Sequence, residues 1–321
     1  SGSEDFDHQA LFSIERQPLL SRFVWPHWLV SVQYLIKQNK KYDQVLVSHV
    51  LPLGSAAWLA KFITGRDYLV IVHGMDIGLL KNSFLKKWLA KKVLKKAKVV
   101  VTNSKALEEE VKNDFGISQT VVVYPCLKQL DQPEKIDHGQ INLLTVARLV
   151  SRKGHARVLE ALKLLQDRHQ LGQTKYIIVG NGPIYQTLVN QIKHLGLENA
   201  VEIKQDLSDQ ELGQVYAKTD VFVMPTVDNF DDREGFGMVY LEAAQHGIPS
   251  IATYQKGVDE AVLDGQTGIL VKDGQIDELA RAINKLILDQ ESRHSLGQAA
   301  QERVNKEFNC QTQFSKLKPF L

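Results

Sequence analysis

The stretch Glu234-Gly235-Phe236-Gly237-Met238-Val239-Tyr240-Leu241-Glu242 lies between two short apolar runs, 221–224 and 250–253, of strand composition. Residues 238–246 favour a helix, Gly247 supplies a C-terminal stop and Pro249 forbids continuation, so a helix is expected to begin near Gly237. Strand, loop, helix and strand in that order form the unit of a parallel sheet with crossover helices. A helix that starts on glycines presents its first N–H groups to whatever lies ahead, an arrangement suited to a phosphate. Glu234 falls on the loop before this helix and Glu242 within it, an axial separation of roughly 12 Å at about 1.5 Å per residue. That reach fits a diphosphate flanked by two sugars, because carboxylates accept hydrogen bonds from sugar hydroxyls. For a lone Glu-Gly pair the plainer reading, a surface loop and an amphipathic helix, would be preferred; the surroundings of this one decide otherwise.

The same alternation extends in both directions. Runs at 142–147, 176–179, 200–204 and 268–271 complete a second half, and runs at 44–48, 68–72, 99–102 and 120–124 form a first, each separated by helix-length segments. Residues 128–140 are polar and contain Asp131, Pro133, Asp137 and Gly139, which reads as a linker. The expected domains are therefore 1–127, 141–307 and a C-terminal helix at 308–321 returning to the first domain. The fold class is α/β: two Rossmann-like, doubly wound parallel-sheet domains facing a cleft, where strand C-termini of such folds bind ligands. At 321 residues and 44% hydrophobic the chain can bury a large core, and its length favours two domains. No apolar stretch is long enough to span a bilayer, and the N-terminus lacks the order of a signal peptide. Cys126 and Cys310 are far apart in sequence, so reduced thiols in a cytoplasmic setting are the simplest expectation.

Several turns could carry chemistry. Arg148 and Lys153, in the first βα turn of the second half, can offer fixed positive charge to a ligand in the cleft; Arg152 is the weaker candidate. Gly180 and Gly182 follow the next strand and allow a backbone to come close to a ligand, although a tight turn explains them equally well. Asp228, Asp231 and Asp232 could suggest a metal, but Arg233 and the loop composition favour a solvated segment. In the first half, His73 ends a strand within Val72-His73-Gly74-Met75-Asp76, and Asn103-Ser104 ends another, with Ser104 placed to cap the next helix.

Eight lysines fall between Lys81 and Lys98, with Phe84, Leu85, Trp88, Leu89 and Val93 on one helical side. Such a helix can lie on an anionic membrane surface or pack on its own sheet with a solvated lysine face. Nucleic acid is disfavoured because the aromatics are expected away from the lysines and the formal net charge is only +2. That balance hides an asymmetry, since 17 basic and 11 acidic residues in 1–125 give +6 and the remainder −4.

The two glutamates around Gly-Phe-Gly resemble the signature of the retaining glycosyltransferases of family 4, the glycosyl transferases group 1, which have the GT-B fold. The resemblance runs through most of 45–321. It implies transfer of a hexose from a nucleotide-diphosphate sugar, such as a UDP- or GDP-hexose, to a glycan or lipid-linked acceptor, with neither metal nor cofactor. It further implies that Arg148 and Lys153 neutralise the leaving diphosphate, that His73 touches the donor sugar, and that Glu234 positions that sugar. Gly235, Phe236, Gly237, Met238, Glu242, Gly180 and Gly182 would bind the donor, with Glu242 on the ribose. Asp76 and Asn103 are the candidates for the acceptor side. A bacterial envelope polysaccharide or glycolipid is the implied product, made at the inner face of the membrane if the lysine helix docks there.

One departure is plain: the opening strand and Gly-Gly turn of the family's N-terminal domain are not visible before Asp43, so the first domain is expected to be shortened. A fragment, a divergent member and one part of a two-chain enzyme all fit that feature. The alternative function is a non-catalytic nucleotide-sugar-binding subunit; epimerisation or phosphorolysis on the same architecture is a second.

Overall fold

The computed structural model describes residues 15–20, 25–81, 83–127, 139–227 and 235–321. Glu234, the three aspartates Asp228, Asp231 and Asp232, and most of the linker lie outside these residues. The first lobe is a four-stranded parallel sheet, β1 (Val45–Val47), β2 (Tyr68–Val72), β3 (Val99–Thr102) and β4 (Thr120–Val122), in sequential order. Its helices are α1 (Leu29–Lys37), α2 (Leu53–Thr64), α3 (Gly74–Lys81), α4 (Phe84–Lys96) and α5 (Lys105–Phe115). The second lobe carries β5 (Ile141–Val146), β6 (Thr174–Val179), β7 (Val201–Lys204), β8 (Val221–Met224), β9 (Ser250–Thr253) and β10 (Gly268–Val271). Their spatial order is β10-β9-β8-β5-β6-β7, with every pairing parallel. The order reverses at β5, which gives the doubly wound topology its switch point. Helices α6 (His155–Asp167), α7 (Tyr185–Leu195), α8 (Asp209–Ala217), α9 (Met238–Gln245), α10 (Val258–Ala261), α11 (Ile276–Leu288), α12 (Gln290–Glu307) and α13 (Cys310–Ser315) surround or follow this sheet.

Strands covered on both faces are predominantly apolar, and β3, β8 and β9 are buried at every residue, including Thr102, Ser250 and Thr253. One face of the second sheet packs Leu143, Tyr176, Val223 and Ile251 against Val158, Leu162, Leu279 and Ile283. The other packs Leu144, Phe222, Met224 and Ala252 against Tyr240, Leu241, Val304 and Phe308. In the first sheet, Val70, Val72 and Val100 meet Ile77, Val93, Leu94 and Phe115. Its opposite face, Leu69, Val99 and Val101, is covered by Leu317 and Phe320 from the end of the chain. Local punctuation follows capping chemistry: Ser208 and Glu211 form a reciprocal capping box on α8, and Ser104 caps α5 through the amide of Leu107. The first turn of α7 starts two residues beyond Pro183, with Ile184 as its N-cap.

Two expectations are corrected. On α4 the apolar stripe is split: Ala90, Val93 and Leu94 face the core, whereas Phe84, Leu85 and Trp88 are 89%, 70% and 50% exposed. Lys92 places its ammonium 5.6 Å from the centre of the Trp88 ring, so this aromatic lies among the lysines. Spacing alone does not fix which turn of a helix meets a sheet; the Tyr68 hydroxyl, donating to the Val93 carbonyl, marks the turn that does. The second correction concerns the cysteines, which are joined as a Cys126–Cys310 disulfide, their Cα atoms 5.0 Å apart. The residues leaving β4 run beside the start of α13, with Leu127 and Asn309 bridged, and this brings together two positions 184 apart in sequence. The argument from reduced thiols to a cytoplasmic setting loses its footing. No helix among the described residues is long and apolar enough to cross a membrane.

Candidate functional site

The strand ends of the two lobes meet across a seam. A Cβ built on Gly74, after β2, would lie 3.9 Å from the Cα of Gly235, and one built on Gly235 would lie 3.9 Å from Asn103 Nδ2. The carboxylate of Glu260, on α10, reaches the first amides of α5. Four strand C-termini, those of β2, β3, β8 and β9, therefore point into one cleft.

Within the second lobe the crevice opens between β5 and β8, which pair over only two residues, Leu143 with Val221 and Leu144 with Phe222. The turn after β5 carries Arg148, exposed, and Lys153, half-buried. It is held from three sides. Leu149 donates its N–H to the Asn181 carbonyl at 2.8 Å, Val227 donates to the Arg152 carbonyl at 2.8 Å, and His155 Nε2 lies 3.2 Å from the Arg148 carbonyl. That last contact requires the Nε2–H tautomer, since a carbonyl can only accept. Gly180 and Gly182 belong to this scaffold: a side chain at either would collide with the carbonyl of Ala147 or of Leu149. The glycines let one βα turn approach the other. The turn that carries Arg148 and Lys153 is thereby held at the switch point, where α/β sheets bind their ligands.

Burial holds the His155 imidazole neutral, lowering its pKa to about 4, an effect that the bond to the Arg148 carbonyl opposes and that Lys153 reinforces. Between pH 6.5 and 4 the unfolded chain takes up a proton that the folded chain does not, so stability is lost as pH falls through that window. The shift from 6.5 to about 4 corresponds to a loss on the order of 3 kcal/mol at its acid end. Urea denaturation of the wild type and of His155→Gln at pH 7 and pH 4.5 should show the steeper acid loss in the wild type; equal slopes would refute this.

Helix α9 begins at Gly237, whose left-handed backbone (φ 83°) serves as N-cap with no side-chain cap. Its first amides thus face the crevice uncapped by any described side chain, and Met238 beside them is 45% exposed. Phe236 departs from a simple ligand-loop reading: its ring is buried, 5.3 Å from Tyr124 and 5.7 Å from Phe308, and anchors the loop to the core. Only its backbone can serve a ligand. Glu242 accepts a hydrogen bond from the Tyr216 hydroxyl at 3.0 Å, and Tyr216 stacks on His246 at 4.9 Å. Burial pushes the Glu242 carboxyl above its usual range, and the tyrosine partly restores it.

From the first lobe, His73 is exposed at the end of β2, its ring 6.2 Å from that of His49, which follows β1. Asp76 Oδ2 and Asn103 Oδ1 are buried with no partner among the described residues. So are Thr226 Oγ1, Thr253 Oγ1 and Gln255 Oε1, just beyond β8 and at the end of β9. Buried polar atoms left unpaired in a native fold are uncommon, and these five lie at or shortly beyond strand C-termini. The sequence reading passed over His49, Thr226, Thr253 and Gln255; inspecting every strand C-terminus in both lobes would have found them.

Comparison with known proteins agrees with this architecture. The family model for glycosyl transferases group 1 matches residues 128–303, and that for glycosyltransferase family 4 matches residues 2–127. A GDP-mannose-dependent alpha-(1-6)-phosphatidylinositol monomannoside mannosyltransferase of Mycolicibacterium smegmatis is 26% identical over 337 residues, covering 100% of this chain and 87% of that one. Among solved structures, a glycosyltransferase from Rickettsia africae superposes with a TM-score of 0.81 at 20% identity, over 99% of this chain and 86% of that one. Anabaena HepE in complex with UDP gives 0.80 at 21% identity, over 100% and 89%. The two facing parallel-sheet lobes, the first of them small, are the GT-B fold. With its second lobe matched over 128–303 and its first over 2–127, the chain belongs to the glycosyl transferases group 1 family.

Proposed function

We propose that this glycosyltransferase moves a hexose from a nucleotide-diphosphate sugar to a glycan or lipid-linked acceptor, with retention at the anomeric carbon and without a metal ion. The observation that carries the reading is the pair Arg148 and Lys153 on a held turn at the switch point, together with a start of α9 that no described side chain caps. The C1–O bond to the diphosphate breaks as the acceptor oxygen bonds C1, and the acceptor proton passes to the departing phosphate oxygen on the same face. Positive charge preorganised where the diphosphate gains charge stabilises that step, which is the task a metal would otherwise fill. His73 borders the sugar, Glu234 positions it, Glu242 holds the ribose, and Asp76 and Asn103 line the acceptor side.

A nucleotide-sugar donor is supported by the GDP-mannose dependence of the mycobacterial relative and by the UDP bound to HepE. A lipid acceptor is supported by the phosphatidylinositol monomannoside that names the former. Work at the inner, cytoplasmic face of a membrane rests on α4 alone, whose exposed Phe84, Leu85 and Trp88 lie beside lysines in the pattern of an interfacial helix. Thermal-shift screening of UDP- and GDP-hexoses, followed by transfer assays with the stabilising donor, tests the function. Glu234→Ala should abolish transfer while leaving the melting temperature unchanged, and normal turnover by that variant would remove Glu234 from the mechanism.

A further inference from the structure

We propose that Glu260 is a positioning residue that holds the two lobes closed over the cleft. It belongs to α10 in the second lobe, yet its carboxylate caps a helix of the first. Oε2 accepts the N–H of Lys105 and Oε1 the N–H of Ala106, each at 2.8 Å, and the Tyr124 hydroxyl donates to Oε2 at 2.7 Å. The next amide of α5, that of Leu107, goes to Ser104 within its own lobe. Two of the first three donors of α5 thus depend on a side chain from across the cleft. A carboxylate at a helix N-terminus is favoured by both hydrogen bonding and the helix dipole, and charge-assisted bonds of this kind are stronger than neutral ones.

The carboxylate is itself mounted rigidly. The Arg303 guanidinium, from α12, donates to the carbonyl of Glu260 at 2.7 Å and to that of Ala261 at 3.1 Å. The turn before α10 presses on the candidate site: a side chain at Gly257 would collide with the Gly235 carbonyl and meet Ala106 at 3.9 Å. One cap therefore sets the Asn103 turn against the Gly235 loop, the place where first-lobe groups approach the start of α9. The neighbouring ion pair, Lys256 with Glu109 at 3.1 Å, is 68% and 59% exposed and contributes little to this docking. Separating the lobes would strip partners from two amides, a carboxylate and the Tyr124 hydroxyl at once, so the closed arrangement is held cooperatively at this point. The consequence for turnover rests on the transferase reading above; the consequence for lobe spacing does not.

The experiment compares wild type, Glu260→Gln and Glu260→Ala. Small-angle X-ray scattering should give a larger radius of gyration for Glu260→Ala, with Glu260→Gln, which keeps one acceptor oxygen, between it and wild type. Calorimetry with UDP and GDP should find the affinity for whichever nucleotide binds wild type changed by less than twofold, because the groups proposed to hold the nucleotide lie in the second lobe. With UDP-glucose or GDP-mannose, whichever wild type uses, kcat for Glu260→Ala should fall at least tenfold, with the donor KM within twofold and partial rescue in Glu260→Gln. A purely stabilising cap would lower the melting temperature and leave both kcat and the radius unmoved well below melting; that result overturns the proposal. If Glu260→Ala does not fold, the intermediate radius of Glu260→Gln decides alone. If wild type transfers from neither donor, the scattering comparison still decides the positioning role, and the transferase reading fails separately.

Discussion

Replacing Arg148 and Lys153 together by alanine should lower kcat by about three orders of magnitude or more and leave the fold in place. Loss of a single preorganised donor aimed at developing charge costs roughly 10²–10³ in rate, and in the proposed function these two cations neutralise the departing diphosphate. Both side chains project from a turn whose backbone is held by contacts to Asn181 and Val227 and by His155. With the backbone so held, substitution should leave the second lobe folded. The effect should fall more on kcat than on donor KM, since the leaving group gains negative charge only as the bond breaks. Steady-state kinetics with the donor identified by thermal shift, alongside urea denaturation, separates the two contributions. A double variant that folds normally and works within tenfold of wild type would place leaving-group stabilisation elsewhere.

Much of the architecture could be read from the sequence because both sheets are parallel and covered on each face. Stretches such as 99–101 and Val221–Met224 are continuous apolar runs with nothing to confuse them with amphipathic helices. Helix ends governed by local chemistry, such as the Ser208–Glu211 box, could be read for the same reason. What escaped was set by contacts between distant segments. Phe236, between two glycines, has the sequence context of an exposed loop, but Tyr124 and Phe308 arrive from either side to bury it. Gly180 and Gly182 look like room for a ligand until the 147–149 backbone is seen filling it. The orientation of α4, the Cys126–Cys310 bond and the reach of Glu260 to Lys105 and Ala106 depend on how elements dock, which no local pattern encodes. Glu242 could be assigned to its helix; its partner Tyr216, from α8, could not.

The same docking makes Gly154 a position where one methyl group should do heavy damage to the second lobe. Its backbone is left-handed, with φ 75°, between the short 3₁₀ turn Ser151–Lys153 and α6, and an added Cβ would run into the carbonyl of Pro225 in the loop after β8. Gly172, beyond the other end of α6, is also left-handed at φ 57° but has open space where a Cβ would go. Alanine there should cost only the conformational penalty, about 1–2 kcal/mol. At Gly154 the collision adds to that penalty, because relief requires moving backbone apart in a packed region, and about 3 kcal/mol or more is expected in total. Since Pro225 packs directly on the turn that carries Arg148 and Lys153, Gly154→Ala should also displace these two residues and depress transfer beyond what partial unfolding explains. Urea midpoints for the two variants, measured with transfer rates far below the transition, test the comparison. Equal losses at Gly154 and Gly172 would mean that the Pro225 wall yields easily and that the crevice is not held by this contact.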